Sequence, residues 1–141
     1  MDISVKAQYA LEALFDLAVQ PPGEPVKIAD IAKRQKIPQK FLELILASLK
    51  QGGFVLSKRG ADGGYLLAKR PEQITVGEVL SYVESRPESG ALARGGPDSA
   101  FGPMWARVGR AVSDIVDRTS LADLTREWTD RRAAAVPNWD I

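Results

Sequence analysis

Gln39, Lys40 and Glu43, followed by Ala47 and Lys50, fall on one side of any helix that contains them, because their steps are one, three and four residues. That side carries groups suited to base edges. Glutamine can bond adenine N6 and N7, lysine can reach guanine or phosphate, and glutamate can accept from cytosine N4. An ordinary solvated helix face has the same make-up, so this stretch alone leaves both readings open. A second group follows in Lys58-Arg59-Gly60-Ala61-Asp62-Gly63-Gly64-Tyr65. Two cations stand directly before a glycine-rich turn, where they can reach a phosphate backbone or a narrow minor groove. Gly63 and Gly64 would let such a tip approach a duplex closely. As a phosphate loop the run fails. It joins two extended segments instead of opening a helix, and it lacks the lysine followed by Ser or Thr.

Other chemistries are closed off by composition. The 141 residues include no cysteine and no histidine. This removes thiolate nucleophiles, disulfides, imidazole bases and thiolate- or imidazole-held metals together. No nucleophile or carboxylate group sits at catalytic spacing, so the chain reads as a non-enzyme without cofactor or metal. With 45% hydrophobic and 26% charged residues it can bury a core, and its length fits one domain or a small domain with an appendage. Met1-Asp2-Ile3-Ser4 lacks the features of a secretory signal, and no apolar run approaches the ~20 residues of a membrane helix. A soluble cytoplasmic protein with no membrane partner is expected. Net charge is only +1, yet Lys27 to Arg70 holds ten basic residues against three acids, a local net of +7. All eight lysines precede Arg70. Such asymmetry suits a polyanion partner, as it also suits a solvated basic face.

Apolar spacing predicts the elements that would hold these groups. Ile3, Ala7, Ala10, Leu11, Leu14, Phe15 and Ala18 give a first helix over about Ile3 to Val19, ended by Pro21-Pro22-Gly23. A second helix runs from about Lys27 to Gln35 with Ile28, Ile31 and Ala32 inward. A third, with Pro38 in its first turn, runs to Gly52 and turns Phe41, Leu44, Ile45 and Leu49 inward, flanked by Leu42 and Leu46. Phe54 to Arg59 and Tyr65 to Ala68 read as strands joined by the glycine-rich turn. Thr75 and Glu78 have capping-box spacing, which starts a helix through about Val83. From Arg86 to Pro103 the composition is that of a loop. Phe101, Trp105, Val108, Val112 and Ile115 then step by four and three, an a/d-type seam suited to a symmetry mate. A last helix spans Leu121 to about Arg132 with Leu124 and Trp128 aligned.

Three helices followed by a hairpin is the order of a winged helix-turn-helix, and particular runs sharpen it. Ser4-Val5-Lys6 with Tyr9-Ala10-Leu11, then Ile28-Ala29-Asp30-Ile31-Ala32 and Phe41-Leu42-Glu43, resemble the IscR/NsrR/CymR-type transcription regulators of the Rrf family. The most specific similarity lies in Arg59-Gly60-Ala61-Asp62-Gly63-Gly64-Tyr65-Leu66-Leu67-Ala68 and Ile74-Thr75-Val76-Gly77-Glu78-Val79-Leu80. Ser120-Leu121-Ala122-Asp123-Leu124 is similar to the element after the family's dimerisation helix. The resemblance is close over residues 1–84 and looser over 101–125.

The resemblance implies a mainly α fold with a small β-hairpin wing, a winged helix-turn-helix plus a long C-terminal dimerisation helix. Residues 1–84 would form the DNA-binding domain and 85–100 a flexible loop at the position of the family's cluster-binding loop. Residues 101–132 would hold the dimerisation and C-terminal helices, and 133–141 the tail. It further implies a homodimer on a palindromic operator in double-stranded DNA, usually as a repressor. Gln39, Lys40 and Glu43 match base-reading positions, Arg59 the minor-groove arginine of the wing, and Lys6 and Tyr9 backbone-contacting positions. Packing is an equal reading for Tyr9. Lys50 and Lys58 would add phosphate attraction alongside Lys6 and Lys40. Lys27 departs from the Ser or Thr usual before the second helix, and Pro38 from a small polar residue. Iron–sulfur members carry three cysteines in the loop where this chain has Glu88 and Asp98, which cannot replace thiolates, so the cluster does not transfer. The effector stays open between a small molecule and a regulatory partner protein. A winged-helix protein–protein interaction module without DNA binding is the alternative of a different class.

Overall fold

The computed structural model describes residues 3–84 and 99–135. Glu88 and Asp98, most of the expected loop at 85–100, and the tail beyond Ala135 lie outside the described residues. Helix α1 (Val5–Val19) begins where the Ser4 side chain accepts from the Ala7 amide at 3.1 Å. Its stripe is offset from the sequence reading. Ala7, Ala10, Ala13, Leu14 and Leu17 are buried, whereas Ile3 precedes the helix and is exposed. The alanines let neighbouring helices approach closely, which their small volume makes the natural choice.

Helix α2 (Ile28–Gln35) starts after Lys27, which supplies no side-chain cap, as the departure at that position predicts. It ends at Lys36, a non-glycine residue in the left-handed region at φ 56° and ψ 47°. Pro38 stands at the N-cap of α3 (Gln39–Gln51), rather than inside its first turn, and Gly52 closes the helix. Strands β1 (Val55–Lys58) and β2 (Gly64–Leu67) pair antiparallel, from Val55 opposite Leu67 to Lys58 opposite Gly64. The hairpin is stitched to the segment just before α2. Val26 and Tyr65 exchange both backbone hydrogen bonds, at 2.7 and 2.8 Å.

A short 3-10 turn at Pro71–Gln73 leads into α4 (Val76–Glu84), whose Thr75 hydroxyl accepts from the Glu78 amide at 3.1 Å. Helix α5 (Gly102–Arg118) follows, and α6 (Leu121–Ala135) runs three residues past the expected Arg132. Leu14, Ile31, Leu42, Leu46, Leu49, Ile74 and Leu121 are fully buried, so one core unites α1 to α4 with the start of α6. Trp128 of α6 meets Phe15 of α1 edge-on at 5.6 Å, and Arg132 stacks over the same indole at 4.6 Å. Among the described residues no helix is long and apolar enough to cross a membrane.

Candidate nucleic-acid interface

Helix α3 has three faces rather than two. Leu42, Ile45, Leu46 and Leu49 enter the core, while Gln39, Lys40, Glu43, Ala47 and Lys50 are all exposed on the arc expected from the sequence. Phe41 and Leu44 are a correction. They are 59% and 71% exposed, on a flank between the core and the polar arc. A helix so rich in leucine shows a wide apolar arc in sequence, and the core here needs only part of it. Phe41 and Leu44 instead line an open cleft with Val5, Lys6, Tyr9 and Ile45. Tyr9 is half-buried and packs on the core, whereas Lys6 is exposed at the same end of α1.

The wing presents Lys58 and Arg59 to solvent at the end of β1. Its glycines answer to local packing. A methyl at Gly63 would meet the Lys58 carbonyl, and one at Gly64 the Val26 carbonyl, so both positions exclude a side chain before any ligand arrives. The Gly63 amide donates to the Gly60 carbonyl at 3.0 Å and closes the tip. The cations are thereby carried on a short hairpin fixed at its base to Val26.

Not every basic residue is available to a polyanion. Arg34 donates through Nε and one terminal nitrogen to Asp16, at 2.9 and 2.8 Å, and Gln35 adds a third bond at 3.0 Å. Asp16 is the one charged side chain buried among the described residues, and its bond to Arg34 holds that guanidinium above its ordinary high range. This triad fixes α2 against α1 and so sets the angle between those two helices. Sequence reasoning missed it, because Asp16 interrupts an apolar stripe and its partners lie about 20 residues away.

Helix α5 is built the other way round from α1. Its buried residues are Gly102 and Gly109. Phe101, Trp105, Val108 and Ile115 are exposed, Val112 is half-buried, and Met104 joins the same face. Its fully buried positions are glycines, whereas most of its large apolar side chains are exposed.

Comparison with known proteins agrees with the fold. A family model described as Rrf2, iron-dependent transcriptional regulator, matches residues 3–127. A Synechocystis sp. protein named "Putative HTH-type transcriptional regulator slr0846" is 38% identical over 105 residues, covering 74% of this chain and 70% of the relative. The structure described as CymR (YrzC), the global cysteine regulator of B. subtilis, superposes with a TM-score of 0.80 at 31% identity, covering 90% of this chain and 98% of that one. T. potens IscR gives 0.79 at 33% identity, over 98% and 93% respectively.

Proposed function

The chain belongs to the Rrf2 family of transcriptional regulators, and from that premise we propose that it binds a palindromic operator as a homodimer and represses transcription there. It is a DNA-binding regulator, and the observation that carries the finer reading is the shared exposure of the α3 polar arc and the wing cations. Gln39 and Glu43 discriminate bases in the major groove, with Lys40 reaching guanine or phosphate. Lys58 and Arg59 hold the flanking backbone or minor groove, and Lys6 and Lys50 add sequence-independent attraction. The exposed stripe of α5 supports the dimer, because two such stripes can cover one another. Two recognition helices then enter successive major grooves about 34 Å apart. Repression is the mode implied by the family resemblance, and the cytoplasm is where such an operator would be met.

The iron of the family description does not fit this chain. Iron–sulfur clusters are held mainly by cysteine thiolates, and the sequence offers neither cysteine nor histidine. Among the described residues no group of acids stands together at ligand spacing either. We assign no cluster-dependent step. The switch lies with a small molecule or a partner protein.

Selection of bound sequences from a random duplex pool tests the reading. A palindrome with half-sites about one turn apart is the expected result; absence of enrichment sinks it. Arg59→Ala should weaken operator binding about tenfold at fixed salt and lower the salt slope by about one. Glu43→Ala should relax sequence preference without abolishing binding. Binding to random duplex should fall steeply with salt, and its absence would point instead to a protein interaction module.

A further inference from the structure

Helix α4 is gripped at both ends, and the two grips connect the reading helix to the exposed stripe. At its C-terminal end, the Tyr82 hydroxyl donates to the Ser48 carbonyl of α3 at 2.7 Å. The Tyr82 ring occupies the place a side chain at Gly52 would need, 2.6 Å from the position of its Cβ. At its N-terminal end, α4 meets the corner between α5 and α6. Val76 donates to the Thr119 carbonyl and Leu121 to the Ile74 carbonyl, both at 2.8 Å, closing a bridge between Thr75 and Ser120.

Gly77 sits in that corner and is buried. A methyl there would run into the Asp117 carboxylate and stand 3.1 Å from the Asp117 Cα, so α5 lies as close to α4 as a bare backbone permits. The positive end of α4 also favours the Asp117 carboxylate over its first turn. Elsewhere α5 buries only Gly102 and Gly109 against its own chain. This corner is therefore one of the points that fix its direction.

We propose that Gly77 and Asp117 are positioning residues that set the spacing between half-sites. The inference rests on the dimeric operator reading above. The 17 residues of α5 span about 25 Å, so a tilt of about 10° at the Gly77–Asp117 contact moves its far end by about 4 Å. One base-pair step is about 3.4 Å, so such a tilt places the second reading helix out of register by about one step. Neither residue belongs to the DNA-facing surface, and neither change alters the groups that read a half-site.

The test is affinity across a set of palindromes built from the selected half-site, with the spacer varied one base pair at a time. The full-length wild type should prefer one spacer. Folded Gly77→Ala should change the ratio of affinities for adjacent spacers by about tenfold while keeping the same half-site preference. Asp117→Ala removes the carboxylate without crowding α4 and should broaden the tolerated spacers. An unchanged spacer profile in Asp117→Ala overturns the proposal, whether or not Gly77→Ala folds. A sharp wild-type palindrome with unmoved variants defeats the positioning role alone. A wild type that enriches no palindrome defeats the operator reading and the positioning role together.

Discussion

Helices α1 and α5 are 15 and 17 residues long and each carries an apolar stripe, but only α1 hides its own. On α1 the stripe is made of alanine and leucine and disappears between α2, α3, α4 and α6. On α5 the inner face is glycine, and Phe101, Trp105, Val108 and Ile115 point outward. Large apolar groups on the outside of a helix whose inside is small are costly in water, unless another surface covers them. The contrast separates a half that folds around itself from an arm whose apolar face is left open, the face that the proposed dimer would cover.

Cutting one residue from each stripe should give the largest effects. Leu14→Ala removes a fully buried side chain and should cost about 2–5 kcal/mol, read as a lowered denaturant midpoint. Ile115→Asp should leave the circular dichroism of a folded chain and abolish self-association, read as a halved mass in sedimentation. If both variants lost stability alike, α5 would be core rather than interface. Asp16→Ala comes next. It leaves Arg34 without its partner, but that side chain is 43% exposed and can hydrate, so the cost should be about 1–3 kcal/mol. Arg34→Ala strands the buried carboxylate instead and should cost more, which a pair of melts decides.

The smallest effect is at the start of α6. The Ser120 backbone amide donates to the Asp123 carboxylate and the Asp123 amide donates to the Ser120 hydroxyl, each at 3.0 Å, and hydrogen bonding with Ser120 holds the Asp123 carboxyl below the ordinary range. Its stabilising contribution is complete above the unfolded value of about 3.9 and is lost as pH falls through the lower folded value. Asp123→Asn should lower the neutral melt slightly and flatten that part of the acid melt, so that the two proteins converge at low pH.

What could be read from the sequence was what depends on near neighbours. Thr75 and Glu78 announced the start of α4, the glycines of residues 60–64 announced the hairpin, and the steps from Phe101 to Ile115 announced the outward seam. Phe41 and Leu44 misled because a helix pattern gives an arc of apolar residues but not how much of that arc the neighbours will cover. Asp16 with Arg34, Val26 with Tyr65, and Gly77 with Asp117 were invisible for one reason. Each joins segments far apart in the chain, and no local periodicity records such a meeting.

The buried carboxylate of Asp16 also bears on how this sequence can drift. Removing either partner of such a pair is penalised, whereas exchanging both for well-packed apolar residues is often neutral. Positions 16 and 34 should therefore change together in descendants of this chain, through intermediates that selection rarely tolerates. The angle between α1 and α2 is inherited as a linked pair of residues, and any lineage that loses the pair should show a compensating hydrophobic contact at the same place.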